Sequence, residues 1–93
     1  MDDPRTFAWN PDKNLQLIRE RGISFERIVA EIEAGNEVAV LAHPNQERYP
    51  GQKISMVRVD DYVCAVPFVE TGEELFLKTI IPSRKATKQY RST

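Results

Sequence analysis

A chain of 93 residues with 13 basic and 14 acidic side chains is long enough for one domain with a single modest core, and we read residues 1–93 as one unit. Its longest apolar run, "YVCAVPFV", falls well short of the roughly 20 apolar residues that span a bilayer. An N-terminus reading "MDDPRTFAWNP" carries acids where a secretory signal carries basic residues, so the expected setting is cytoplasmic, with no membrane partner.

The predicted elements follow in chain order. "RTFAW" reads as a short opening strand. "NPDKNLQLIRERG" has Asn10 as N-cap, Pro11 at the first helical position, Asp12 in the first turn, Arg19 and Arg21 near the end, and Gly22 to close it. Leu15 and Ile18 are its expected apolar edge. Ser24 caps a second helix, "SFERIVAEIEAG", where Phe25, Ile28, Val29 and Ile32 keep the i, i+3, i+4, i+7 rule. "EVAVLAH" is β-like, and "PNQERYPGQ" a polar loop. "KISMVRV", "YVCAVPFV" and "ELFLKTII" are three further strands joined by hairpin-length turns. "YVCAVPFV" is apolar at both parities, as in a central strand covered on both faces, and its Pro67 points to a bulge. In "ELFLKTII" one parity holds Leu75, Leu77, Thr79 and Ile81, and Lys78 belongs to the other. Pro82 is expected to end the ladder, and Ser83 to cap a last helix. The order β-α-α-β-β-β-β-α implies an α+β domain: two N-terminal helices on a four- to five-stranded, mostly antiparallel sheet, plus a short basic C-terminal helix, the helices lying on one side.

Several chemistries are disfavoured by counting. A structural zinc site takes about four Cys/His ligands, whereas the chain has one His and one Cys, so no metal or other cofactor is expected. Cys64 reads as a small buried hydrophobe. His43 reads as a loop-edge residue bonded to backbone or water. The pairs Asp60-Asp61 and Glu73-Glu74 read as solvated turn residues. The glycines are isolated, which leaves no phosphate loop.

Charge is unevenly distributed. All acidic residues precede Leu75, giving that portion a balance of −6, whereas Lys78, Arg84, Lys85, Lys88 and Arg91 give the remainder +5. On a helix after Ser83, Arg84, Lys88 and Arg91 form one stripe and Ala86 and Tyr90 share another side. Cations in a first helical turn oppose the helix dipole, which points to an anion outside the helix. A solvated helix face with Tyr90 closing the core is the plain alternative. RNA fits as the anion: metal-free cleavage needs groups that align the 2′-OH, hold the phosphate and move protons, and Tyr90 can stack on a base or take part in proton transfer.

"FAWNPDKN…RERGISFERI" and "SRKATKQY" together resemble the BrnT family of bacterial toxins, through Phe7, Trp9, Asn10, Lys13, Gly22, Ile23, Phe25, Arg84, Ala86 and Tyr90. The resemblance implies a RelE/ParE-like fold and a metal-independent endoribonuclease that inhibits translation and growth. It also implies a cognate antitoxin, commonly with a ribbon-helix-helix part, through which alone the complex reaches operator DNA; the RNA substrate is free or ribosome-bound. Arg84 and Tyr90 carry over from the end motif, and Lys13 from the first helix. The family's usual Glu-Arg pair is replaced by Gln52-Lys53, and its last-strand arginine falls near Lys78 or Thr79. Those lysines supply point charges rather than bidentate clamps. The expected catalytic set is Arg84, Tyr90, Lys53 and Lys78, around one groove, with Lys85, Lys88, Arg91 and Lys13 binding RNA. An acidic or amphipathic antitoxin segment is expected near the tail. The alternatives are a ParE-like toxin acting on a protein target such as gyrase, and a catalytically weak module that binds antitoxin or nucleic acid.

Overall fold

A computed structural model describes residues 6–91, so Arg5 of the opening strand lies outside the described residues. Strand β1 (Thr6–Trp9) leads into helices α1 (Pro11–Arg21) and α2 (Phe25–Glu33). Strands β2 (Glu37–Ala42), β3 (Lys53–Val59), β4 (Tyr62–Thr71), β5 (Glu74–Leu77) and β6 (Ile81–Ser83) follow, then helix α3 (Arg84–Tyr90). The class is α+β with a mixed sheet in the order β1-β5-β4-β3-β2, and β6 also pairs with β4. Among the described strands, β1 against β5 is the parallel pair.

Local chemistry sets the helix ends. Asn10 accepts from the Asp12 and Lys13 amides, and Gly22 closes α1 at φ 67°, a conformation that favours glycine. Ser24 Oγ accepts from the Arg27 amide to start α2. Phe25, Ile28 and Ile32 are buried as their spacing predicts. In α1 the apolar edge is different from the expected one: Asn14 and Leu17 are buried, while Leu15 and Ile18 are 60% and 45% exposed. The reason is the join between the helices. Asn14 Oδ1 accepts from the Phe25 amide at 2.8 Å, and its Nδ2 donates to Glu26 at 2.7 Å, so a polar side chain takes the inward position. The Asn14 bond holds the Glu26 carboxyl below its ordinary range, helped by backbone bonding. Asn14→Leu would orphan the buried Phe25 N–H, at a cost of about 1–3 kcal/mol. The expected reading is a urea midpoint lower by about 1 M.

Alternation in the strands sorts the core. Val57 and Val59 of β3, Cys64, Val66 and Phe68 of β4, and Leu75 and Leu77 of β5 meet Leu17, Phe25, Ile28 and Ile32 in one cluster. Opposite residues of an antiparallel pair share a face, so the partners Arg58 and Val63 lie on the other side of the sheet. There the Arg58 guanidinium donates to the Tyr90 carbonyl, and the Val63 amide donates to Thr87 Oγ1 at 2.9 Å. Helix α3 therefore covers the face opposite α1 and α2, correcting the expectation that all helices share one side. This explains why β4 is buried at both parities.

The expected last strand splits in two. Phe68 pairs with Leu77, but Ala65 pairs with Ile81, so β5 and β6 together hold one residue more than β4 across the break. Lys78 N–H donates to the Pro67 carbonyl at 2.8 Å, and Pro67 has no N–H to return. The extra residue reverses the parity: Ile80 is fully buried, whereas Ile81 is 44% exposed. Pro82 does not end the ladder; it sits within β6 opposite Cys64, on an edge strand, where a missing donor is tolerated.

Other residues match their expected settings. Cys64 is buried and reduced, and burial pushes its thiol pKa up against a smaller opposing effect of Arg21. His43 Nδ1 accepts from the Asn45 amide at 3.0 Å, and its ring lies 4.4 Å from that of Tyr49. No helix among the described residues is long and apolar enough to cross a membrane.

Candidate nucleic-acid interface

Seven residues make too short a helix to persist alone, and α3 is held at several points. Ser83 Oγ accepts from the Ala86 amide at 3.0 Å. Thr87 Oγ1 donates to the Ser83 carbonyl at 2.6 Å while accepting from Val63. Ala86 is buried, and Arg58 holds the C-terminal carbonyl of Tyr90, where a cation also complements the helix dipole. Ala86, Thr87 and Tyr90 are buried or half-buried, while Arg84, Lys85, Lys88 and Arg91 are exposed. These four cations have no carboxylate partner among the described residues. An acid-free cationic ridge thus stands on an anchored base.

Along α3, Arg84 and Tyr90 are separated by roughly 9 Å of helix rise and about 120° of turn. Tyr90 therefore lies to one side of the ridge that Arg84 begins, and the two do not face one another. Near the Arg91 end, a cleft of about 420 Å³ is lined by Arg58, Asp60, Asp61, Val63, Thr87 and Arg91. Asp60 there is paired with Arg27, and Asp61 makes that end less favourable to a polyanion than the Arg84 end.

The remaining expected site residues lie elsewhere. Lys53 shares the parity of Val57 and Val59, and so belongs to the α1–α2 face. It is about 16 Å of strand from Arg58 and is paired with Glu70 at 2.6 Å. Lys78 is opposite Pro67, on the α3 face but about 13 Å of strand from Val63, with its ammonium 5.5 Å from the centre of the Phe76 ring. Lys13 is half-buried in the first turn of α1, on the far face. The fold therefore brings together Arg84, Lys85, Lys88, Tyr90 and Arg91, and keeps Lys53, Lys78 and Lys13 apart from them. Comparison with protein-family models, curated proteins and solved structures finds no significant match to this chain.

Sequence reasoning missed Arg58. Its signal was its place in "KISMVRV", at the parity of Ile54 and Met56 rather than that of Ser55, Val57 and Val59. A guanidinium in that series needs an acceptor above the sheet, and the α3 terminus supplies one. A pair of arginines, Arg21 and Arg27, was also not singled out. Both line a cleft of about 540 Å³ between the α1–α2 junction and the β3–β4 turn.

Proposed function

We propose that this chain is the toxin of a bacterial type II toxin–antitoxin pair, with a RelE-like fold and metal-independent endoribonuclease activity. The observation that carries the reading is the acid-free ridge of Arg84, Lys85, Lys88 and Arg91, presented by a helix whose other side is fixed to the sheet. The resemblance of both chain ends to BrnT toxins supports it further. Arg84, Lys88 and Arg91 hold successive phosphates, with Lys85 beside them. Arg84 neutralises charge at the reacting phosphate and Tyr90, at the flank of the ridge, meets the adjoining nucleotide. The RNA 2′-OH attacks phosphorus, the P–O5′ bond breaks, and the 5′ oxygen leaves with a proton, giving a cyclic phosphate and a 5′-hydroxyl. Lys78 acts, in this reading, at a more distant phosphate, whereas Lys53, paired with Glu70 on the opposite face, takes no part. The antitoxin inhibits by covering the ridge with an acidic or amphipathic segment.

The test is induction in a bacterial host, with growth and RNA 5′ ends followed in the parent and in Arg84→Ala/Tyr90→Phe. Arrest with new transcript ends that vanish in the variant is the expected result. An equally toxic variant would remove these residues from the site. Arrest with RNA intact would favour a protein target such as gyrase, and no arrest would leave the ridge as a binding surface.

A further inference from the structure

The cleft at the α1–α2 junction is separate from the α3 ridge. Its volume of about 540 Å³ lies within the roughly 300–1,000 Å³ typical of small-molecule sites. Ile18, Val59 and Pro82 give it apolar walls, and Tyr62 adds a ring. Tyr62 is 37% exposed, so part of its surface is open to a stacking partner. The two arginines differ in how they are engaged. Arg27 is held by Glu31 at 2.8 Å and by Asp60 at 3.0 Å, which neutralises it. Arg21 donates to the Ile80 carbonyl, a neutral acceptor, and has no carboxylate partner among the described residues. The rest of its guanidinium fork is available to an anion.

A site of mixed lining, with apolar patches from Ile18, Val59 and Pro82, an open aromatic ring and one guanidinium without a carboxylate partner, suits a planar ring that carries an anionic group. Position narrows the choice. Pro82 lines the cleft, and Arg84 is two residues further on, within about 7 Å along the chain. A strand leaving the ridge at Arg84 would round the β6 edge to reach the cleft, which opens on the α1–α2 face.

We propose that this cleft is a nucleotide subsite, in which a base stacks on Tyr62 between the apolar walls while Arg21 binds its phosphate. The inference rests on the ribonuclease reading, since it places one nucleotide of the same RNA beyond the end of α3. Arg27 serves as a wall fixed by its own acids, and the Cys64 thiol as part of the neutral floor.

The test is amide NMR of the whole chain, titrated first with the four nucleoside 5′-monophosphates and then with a 2′-O-methyl heptanucleotide, which cannot be cleaved. The expected result is movement of the Gly22, Ile23, Ser24 and Tyr62 amides with both probes. Tyr62→Leu, which keeps an apolar wall, should weaken mononucleotide binding about tenfold by removing the stack. Arg21→Lys should weaken it less than Arg21→Gln does, because the charge is kept. Arg84→Ala/Lys88→Ala/Arg91→Ala should weaken the heptanucleotide to about the affinity of a mononucleotide, with both still moving the cleft amides. If the heptanucleotide moves α3 amides alone and Tyr62→Leu changes nothing, the subsite is overturned while the ridge stands. If neither probe binds anywhere, the ribonuclease reading falls and the subsite with it.

Discussion

The variant Arg84→Ala/Lys88→Ala/Arg91→Ala is expected to lose most of its affinity for single-stranded RNA while remaining as stable as the parent, or becoming slightly more so. The two halves of this result have separate causes. All three side chains are exposed and without carboxylate partners among the described residues, so no packing or ion pair is lost. Alanine is the better helix former within α3, and removing Arg84 relieves a cation from the positive end of the helix, which offsets the loss of Lys88 and Arg91 from the negative end. For binding, each neutralised phosphate of a single strand contributes about −0.7 to the slope of log affinity against log salt, so three lost contacts should make the slope shallower by about 2. Between 50 and 200 mM salt, the parent should then lose roughly sixteenfold more affinity than the variant. Lys53→Ala is the control. That side chain is paired with Glu70 on the other face, and its slope should stay near the parent's. Equal slopes for parent and triple variant would mean that RNA does not lie along α3.

That experiment depends on a feature legible in the sequence, and the limits of that legibility are physical. Capping chemistry acts over a few residues, so Asn10, Gly22, Ser24 and Ser83 marked their helix ends correctly. The stripe of Arg84, Lys88 and Arg91 follows from helical spacing alone. The α+β class follows from periodicities of 3.6 and 2. What failed was anything requiring a partner distant in sequence. Leu15 and Ile18 looked like the buried edge of α1 because hydrophobicity was the only guide; Asn14 displaced them through bonds to α2. Pro67 itself pairs opposite Ile54 in unbroken register; the extra residue lies on the neighbouring strand, where Ile80 rather than Ile81 turned inward. The grouping of Lys53 and Lys78 with Tyr90 came from the BrnT resemblance, through the positions where that family carries arginines. Strand parity and register send Lys53 to the opposite face, and hold Lys78 several residues along β4 from α3. Arg58 was overlooked because its acceptor is a backbone carbonyl at the far end of the chain.

Phe25→Ala should destabilise the fold more than Asn14→Leu or any change on the α3 ridge. Phe25 is fully buried, opens α2, and stacks on Trp9 with ring centres 5.6 Å apart and planes inclined by 26°. Truncating a buried phenylalanine costs about 3–5 kcal/mol. A domain of this length has a total stability of roughly 5–14 kcal/mol, so the loss takes a large share of it. At about 4–8 °C per kcal/mol for so small a chain, the thermal midpoint should fall by roughly 12–40 °C. Trp9 is the sole tryptophan and lies at the lesion, so its fluorescence reports the change directly. Phe25→Leu keeps most of the volume and should recover more than half of the loss. Because α3 is fixed to the other face of the sheet through Val63, Arg58 and Ala86, cold Phe25→Ala should still bind RNA with the parent's salt slope. Loss of that slope well below the midpoint would show that the two faces of the sheet are coupled, and that the ridge depends on the core beneath α2 as well as on its own anchors.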